Sequence, residues 1–219
     1  MVSVCIGDSI TAGAAATVPF PIILANLTGD TVRNKGINGN TTTKMLARFD
    51  DDVVAQTPSR VVILWGHNDI VGSTPAATIV SNLTAMCDAA VTAGIEPFLS
   101  TILPCVNFTD AQDLILDEAN AGILSYCTAN DIQLLDLGCL LADPGDDHAL
   151  DTEYTADGTH PNDTGHLLIG NYIYECWSYV PNVWNSLRPA PDTGSIDRSS
   201  VDRWDNSECK IGVNIGVTE

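Results

Sequence analysis

Four short blocks of this chain hold residue types that together could carry out acyl transfer. "GDSI" is Gly7 to Ile10, "NKGINGNTT" runs from Asn34 to Thr42, "GHND" is Gly66 to Asp69, and "DGTHPN" is Asp157 to Asn162. A serine hydroxyl is a poor nucleophile until a neighbouring base takes its proton. Ser9 is the candidate nucleophile and His160 the candidate base. Asp157 stands three residues before His160, a spacing that lets a carboxylate meet the imidazole Nδ1–H. Such a contact fixes the tautomer and stabilises the imidazolium. The developing oxyanion needs donors aimed at it. The backbone N–H groups of Ser9 and Gly39 and the side-chain amide of Asn68 can provide three. Glycine at position 39 permits close backbone approach to a substrate. Asn68 brings a neutral NH₂ donor that an aspartate in its place would lack. Taken alone, Ser9 would serve as well as a helix cap, Gly39 as a turn glycine, Asn68 as a cap and Asp157 as a turn residue. It is their company that points to chemistry. Asp8 reads as structural, accepting backbone N–H groups around the Ser9 turn.

For these blocks to meet, the elements carrying them must end on one edge. Val2–Ile6, Thr31–Asn34, Arg60–Trp65, Glu96–Thr101 and Ile132–Asp136 read as five strands. "RVVILW" is the clearest, being uniformly apolar as a strand covered on both faces should be. Helical patterns fall between them: Pro19–Asn26, about Thr41 to Gln56, Thr74 to Ala93, and Asp110 to Asn130 with Asp110 as the N-cap candidate. Pro75 at a first-turn position and Gly94 just past the end frame the third of these. A loop rich in Asp, Pro and Gly runs from Gly138 to about Glu153, and a last helix from about Asn162 to Val180. Strands alternating with helices imply right-handed crossovers and a parallel sheet. The expected fold is therefore α/β, a three-layer α/β/α sandwich with its ligand site beyond the carboxyl ends of the strands. The first three blocks each follow a strand, and the fourth enters the last helix, so all four can reach that edge. Residues 1–180 form the expected catalytic domain. Residues 181–219 are polar and breaker-rich, a C-terminal extension for which packing and mobility are both open, with Trp204 and the apolar "IGVNIGV" end on the side of packing.

Length and charge narrow the function further. At 219 residues the chain suits one core rather than two domains. Acidic side chains number 28 against 9 basic ones, for a net charge of −19. That surface repels phosphate backbones and anionic lipid, so nucleic acid is not expected as a partner. No apolar run is long enough for a membrane span, and Met1 leads into a core strand rather than a signal peptide. Localisation stays open between the cytoplasm and secretion with the signal trimmed. Seven cysteines leave at least one free thiol in a monomer. Cys5, Cys87, Cys127 and Cys176 sit in apolar patterns as buried thiols, none with C-x-x-C spacing. Asn-x-Ser/Thr sequons begin at Asn26, Asn40, Asn82, Asn107 and Asn162. His148 has no partner that the sequence names, and His166 reads as a packing or surface residue of the last helix. No metal-site arrangement emerges, and no cofactor is expected.

The four blocks, in order across residues 7 to 162, resemble the GDSL family of esterases and lipases in its SGNH-hydrolase branch. That branch is named for the Ser, Gly, Asn and His that stand here at Ser9, Gly39, Asn68 and His160. The resemblance implies a flavodoxin-like five-stranded sheet, no metal, and hydrolysis through an acyl-enzyme. Two positions depart from the family pattern. Ile10 replaces the Leu of the first block, a conservative packing change. His67 stands where members often carry a second Gly, as a possible substrate contact or a plain packing residue. The G-x-S-x-G elbow of other hydrolases is not matched.

The expected activity is a serine carboxylic-ester hydrolase acting on small or short acyl groups, among them O-acetyl groups on carbohydrate. The short-acyl reading follows from a compact chain with no evident lid. Two alternatives stand beside it: a lysophospholipase or thioesterase for longer chains, and a non-catalytic glycan-binding module on the same fold. The natural ester, transfer to an acceptor other than water, and oligomeric state are not legible in the sequence.

Overall fold

The structure, a computed structural model, describes residues 1–178. The expectations for the end of the last helix at Val180 and for the extension 181–219 lie outside the described residues. In chain order the elements are β1 (Val2–Gly7), α1 (Ser9–Ala12), α2 (Phe20–Thr28), β2 (Thr31–Gly36), α3 (Thr42–Ala47), α4 (Phe49–Asp52), β3 (Arg60–Leu64) and α5 (His67–Val71). They continue with α6 (Ala76–Thr92), β4 (Glu96–Ser100), α7 (Asp110–Asn130), β5 (Gln133–Leu135), α8 (Leu137–Leu141), β6 (Ala142–Asp143), β7 (Asp146–Leu150) and α9 (Asp163–Ser178).

The strands β1 to β5 form one sheet in the order β2-β1-β3-β4-β5, with every neighbour parallel. Alternate side chains leave a strand on opposite faces, so an apolar run must be covered twice. Val61 and Ile63 of β3 enter a core with Met45 of α3, Leu83 of α6 and Ile123 of α7. Val62 and Leu64 face the other way, into a core with Phe20 and Leu24 of α2 and Ile169 and Ile173 of α9. These side chains are almost wholly buried, and burial of each contributes about 1.5–3 kcal/mol. The three-layer α/β/α sandwich is thus as the strand and helix pattern predicts.

Three local features differ from the sequence expectation. The helix expected from Thr41 to Gln56 is broken into α3, α4 and a 3-10 turn at Val54–Gln56. The break is at Arg48, whose backbone leaves helical geometry (φ −110°, ψ 4°). Its guanidinium donates to the carbonyls of Gly7 and Lys35 and to Asp52, tying this segment to the ends of β1 and β2. The segment Gly138–Glu153 is not a plain loop: α8 extends into it, and β6 pairs antiparallel with β7. Leu137, Leu141 and Leu150 are buried in the α2–α9 core, which supplies the order that the local composition lacks. At the start of α7 the N-cap is Thr109, in a capping box with Gln112, and Asp110 is the first helical residue.

The thiols of Cys5, Cys87 and Cys127 are free and buried, as expected, while Cys176 is free and only partly buried. His166 is fully buried, and its Nδ1 accepts the Phe20 N–H at 3.2 Å. Burial, followed by the proximity of His160, lowers its pKa to about 4 against the opposing pull of Asp163, so the ring is neutral at pH 7.

Candidate active site

Register brings the blocks together. Gly7, the last residue of β1, pairs with Gly36 of β2 on one side and with Leu64 of β3 on the other. The three strands therefore end in line, and the residues that follow share one edge. The Ile37 N–H donates to the Gly7 carbonyl at 3.1 Å, fastening the second block directly to the first.

Ser9 opens α1, one residue after the strand. Asp8 is its N-cap: Oδ1 accepts the Ile10 N–H at 2.8 Å, the structural part expected of it. The first N–H groups of a helix have no intrahelical partner, so the Ser9 N–H is left for another acceptor. Asp8 is 1% exposed. Burial pushes its carboxyl up to about 6, with the nearby Asp69 adding to the rise and the Ile10 N–H and His160 opposing it.

Gly39 lies in the exposed loop between β2 and α3 with φ +70°, in the left-handed region that favours glycine. A Cβ placed there would meet nothing within 4 Å, so its outer side is open to a ligand. Gly66, at φ +131°, turns the chain out of β3 where a Cβ would fall 2.4 Å from Ile102 Cδ1. Asn68 follows on α5, half-buried, and its Nδ2 donates to Asp8 Oδ2 at 3.3 Å. His67 stacks on Phe108 with ring centroids 5.1 Å apart. Burial, and then the proximity of His160, lowers its pKa to about 4 against the opposing pull of Asp157, which leaves it uncharged at pH 7.

The fourth block closes on itself and then on Ser9. A bridge between Thr155 and Pro161 pinches the loop, and the Thr155 hydroxyl donates to the His160 carbonyl at 2.8 Å. Asp157 Oδ1 accepts the N–H groups of Thr159 (2.9 Å) and His160 (2.7 Å), while Oδ2 meets His160 Nδ1 at 2.8 Å. His160 Nε2 lies 3.1 Å from Ser9 Oγ. With the proton on Nδ1 facing Asp157, Nε2 is an acceptor for the serine hydroxyl. Partial burial pushes the Asp157 carboxyl up, but the His160 N–H, the His160 ring and the Thr159 N–H outweigh it and hold the group well below the usual carboxylate range. Val106 and Asn107, from the segment between β4 and α7, brace this loop through bonds to the carbonyls of Gly158 and Asp157.

Two braces escaped the sequence reading. Asp69, buried, accepts the Thr42 N–H (2.7 Å), the Thr42 hydroxyl (2.8 Å) and Trp65 Nε1 (3.0 Å), bolting the loop of Gly39 to the turn of Asn68. Its position directly after Asn68 in "GHND" was the available signal. Thr155 had none, because its role depends on a bridge across the loop.

Away from this edge, Asp146, Asp147 and His148 on the β6–β7 hairpin bring potential metal-ligand atoms within 4.8 Å of one another. His148 there is engaged by Asp117 at 3.1 Å and Asp147 at 3.4 Å.

A doubly covered parallel sheet, with a serine, a histidine and an aspartate in hydrogen-bonded series at its carboxyl edge, defines the chain as a flavodoxin-like α/β protein. Residues 5–168 match the GDSL-like lipase/acylhydrolase family, and the chain belongs to it. The fold is similar to that of a lipolytic protein of the G-D-S-L family from Desulfitobacterium hafniense, with 28% identity, 80% of this chain and 98% of that one covered, and a TM-score of 0.72. It is also similar to a GDSL-like lipase from Bacteroides thetaiotaomicron, at 28% identity, 80% and 86% coverage, and a TM-score of 0.69. A curated acetylxylan esterase from Geobacillus stearothermophilus is 50% identical over 42 residues, 19% of each chain. The match thus spans about a fifth of that relative's length. This is the family that the four blocks, taken in order, resemble. Among the described residues no helix is long and apolar enough to cross a membrane.

Proposed function

We propose that the protein is a serine esterase that removes small acyl groups, acetyl foremost, from carbohydrate esters. The observation that carries this reading is the series Ser9 Oγ to His160 Nε2 (3.1 Å) and His160 Nδ1 to Asp157 Oδ2 (2.8 Å). A binding module has no use for a base aimed at a hydroxyl and oriented by an ionised acid. In the proposed reaction Ser9 Oγ attacks the ester carbonyl as His160 takes its proton. The tetrahedral oxyanion is held by the N–H groups of Ser9 and Gly39 and by the Asn68 amide. His160 then returns the proton to the departing alcohol, leaving an acyl-serine. Water, deprotonated by the same imidazole, releases the acid and restores the hydroxyl.

The short-acyl part rests on size. Beside the Ser9 turn, a hollow of about 10 Å³ is lined by Asp8, Ile10, Leu64, Trp65, His67 and the residues that follow β4, from Thr101 to Leu103. A cavity of that size holds about one water-sized group, such as the methyl of an acetyl group, and is far too small for a fatty chain. The acetylxylan esterase match, though short, fits the same substrate class.

The test is the hydrolysis of para-nitrophenyl esters from acetate to palmitate, followed by acetate release from acetylated xylo-oligosaccharides. We expect kcat/KM to be highest between acetate and butyrate and to fall steeply by octanoate. A maximum at octanoate or beyond would favour a lysophospholipase or thioesterase instead. Asn68→Ala should lose roughly 10²–10³ in kcat, as for removal of one oxyanion donor. Unchanged turnover in that variant would remove Asn68 from the mechanism.

A further inference from the structure

We infer that Asp8 is a positioning residue whose second carboxylate oxygen sets the rotation of the Asn68 amide, so that one N–H is spent on Asp8 and the other is presented to the substrate oxyanion. The inference rests on the reading of Asn68 as an oxyanion donor. Two separate devices hold Asn68. The backbone of α5 is fixed by Asp69, which takes three hydrogen bonds from Thr42 and Trp65. That bracing leaves the amide itself free to turn, because the terminal torsion of an asparagine has a broad, roughly two-fold preference. A half-turn exchanges NH₂ for oxygen and would put an acceptor where the oxyanion needs a donor.

Asp8 removes that freedom. Oδ2 lies 3.3 Å from Asn68 Nδ2. An ionised carboxylate only accepts, so it attracts the NH₂ and repels the amide oxygen. The nitrogen has two protons, and the bond to Asp8 occupies one. Asp8 is itself held, since Oδ1 is engaged by the Ile10 N–H at 2.8 Å and the residue is 1% exposed. One buried side chain thus shapes the turn that carries Ser9 and orients the amide facing it. Capping alone would not require the second oxygen.

Asp8→Ser separates the two roles. Serine is a good N-cap and can keep the bond to Ile10, but it has no second oxygen for Asn68. Turnover of para-nitrophenyl acetate is measured for the wild type, Asp8→Ser, Asn68→Ala and the double variant, with thermal unfolding followed for each. We expect Asp8→Ser to lower kcat tenfold or more, with KM within about threefold of the wild type. In the Asn68→Ala background the same change should cost less than about threefold, because residues acting as a unit are not additive. Losses that multiply in the double variant, or wild-type kcat in Asp8→Ser, would overturn the inference while leaving Asn68 as an oxyanion donor. Wild-type kcat in Asn68→Ala would instead overturn the reading on which it rests. If Asp8→Ser does not fold, Asp8→Thr, which also caps through a single hydroxyl and offers Asn68 no second oxygen, takes its place in the cycle, and the same two outcomes decide.

Discussion

Ser9→Ala should abolish hydrolysis of para-nitrophenyl acetate, with a loss in kcat of roughly 10⁵–10⁶-fold, the scale seen when a triad nucleophile is removed. The substitution deletes one oxygen from a half-buried position whose side-chain hydrogen bond goes to His160. The turn around it is held by Asp8, by the bond from Ile37 to Gly7 and by the sheet register, none of which uses the serine hydroxyl. The melting temperature should therefore stay near that of the wild type, separating loss of chemistry from loss of fold. A serine-reactive phosphonate should label the wild type and leave the variant unmodified. Turnover that survives the substitution would sink the proposed mechanism.

Asp157→Asn should lower kcat by about 10⁴-fold, through the tautomer rather than through position. The new side chain can still accept the N–H groups of Thr159 and His160 at the place of Oδ1. Its NH₂ then faces His160 Nδ1, which must become an acceptor, and the ring proton moves to Nε2. An imidazole protonated there has no lone pair for the Ser9 hydroxyl. Stability should follow a different pH course from activity. The Asp157 carboxyl is depressed in the folded protein relative to the unfolded chain. Its contribution is therefore present above the ordinary aspartate pKa of about 3.9 and is lost as pH falls through the folded value. Because the side chain is half exposed, solvent screening keeps that contribution small. The wild type should melt slightly above the variant at pH 7, with the gap closing below about pH 4. A gap that widens in acid would contradict the assigned hydrogen bonding.

The parts legible in the sequence share a physical basis. "RVVILW" could be read as a doubly covered strand because alternation is local and its absence means burial on both faces. Asp157 and His160 could be paired because three residues of chain hold them within reach, and the 2.8 Å contact follows from that short tether. The break at Arg48 could not be read, because its cause is a guanidinium reaching carbonyls 13 and 41 residues away. The same is true of the β6–β7 hairpin, whose segment is polar in composition and is ordered by leucines docking into a distant core.

The sequence by itself determined the family, the parallel α/β layering and the identity of the four blocks, since strand periodicity and motif spacing are properties of neighbouring residues. Only the tertiary structure decided how those blocks face one another. It put Ser9 3.1 Å from a histidine 151 residues away, and Asn68 3.3 Å from Asp8, 60 residues away. The reason is that strand order and register are set by burial on both faces of the sheet, a sum over the whole core, and the in-line ends of β1, β2 and β3 are its consequence.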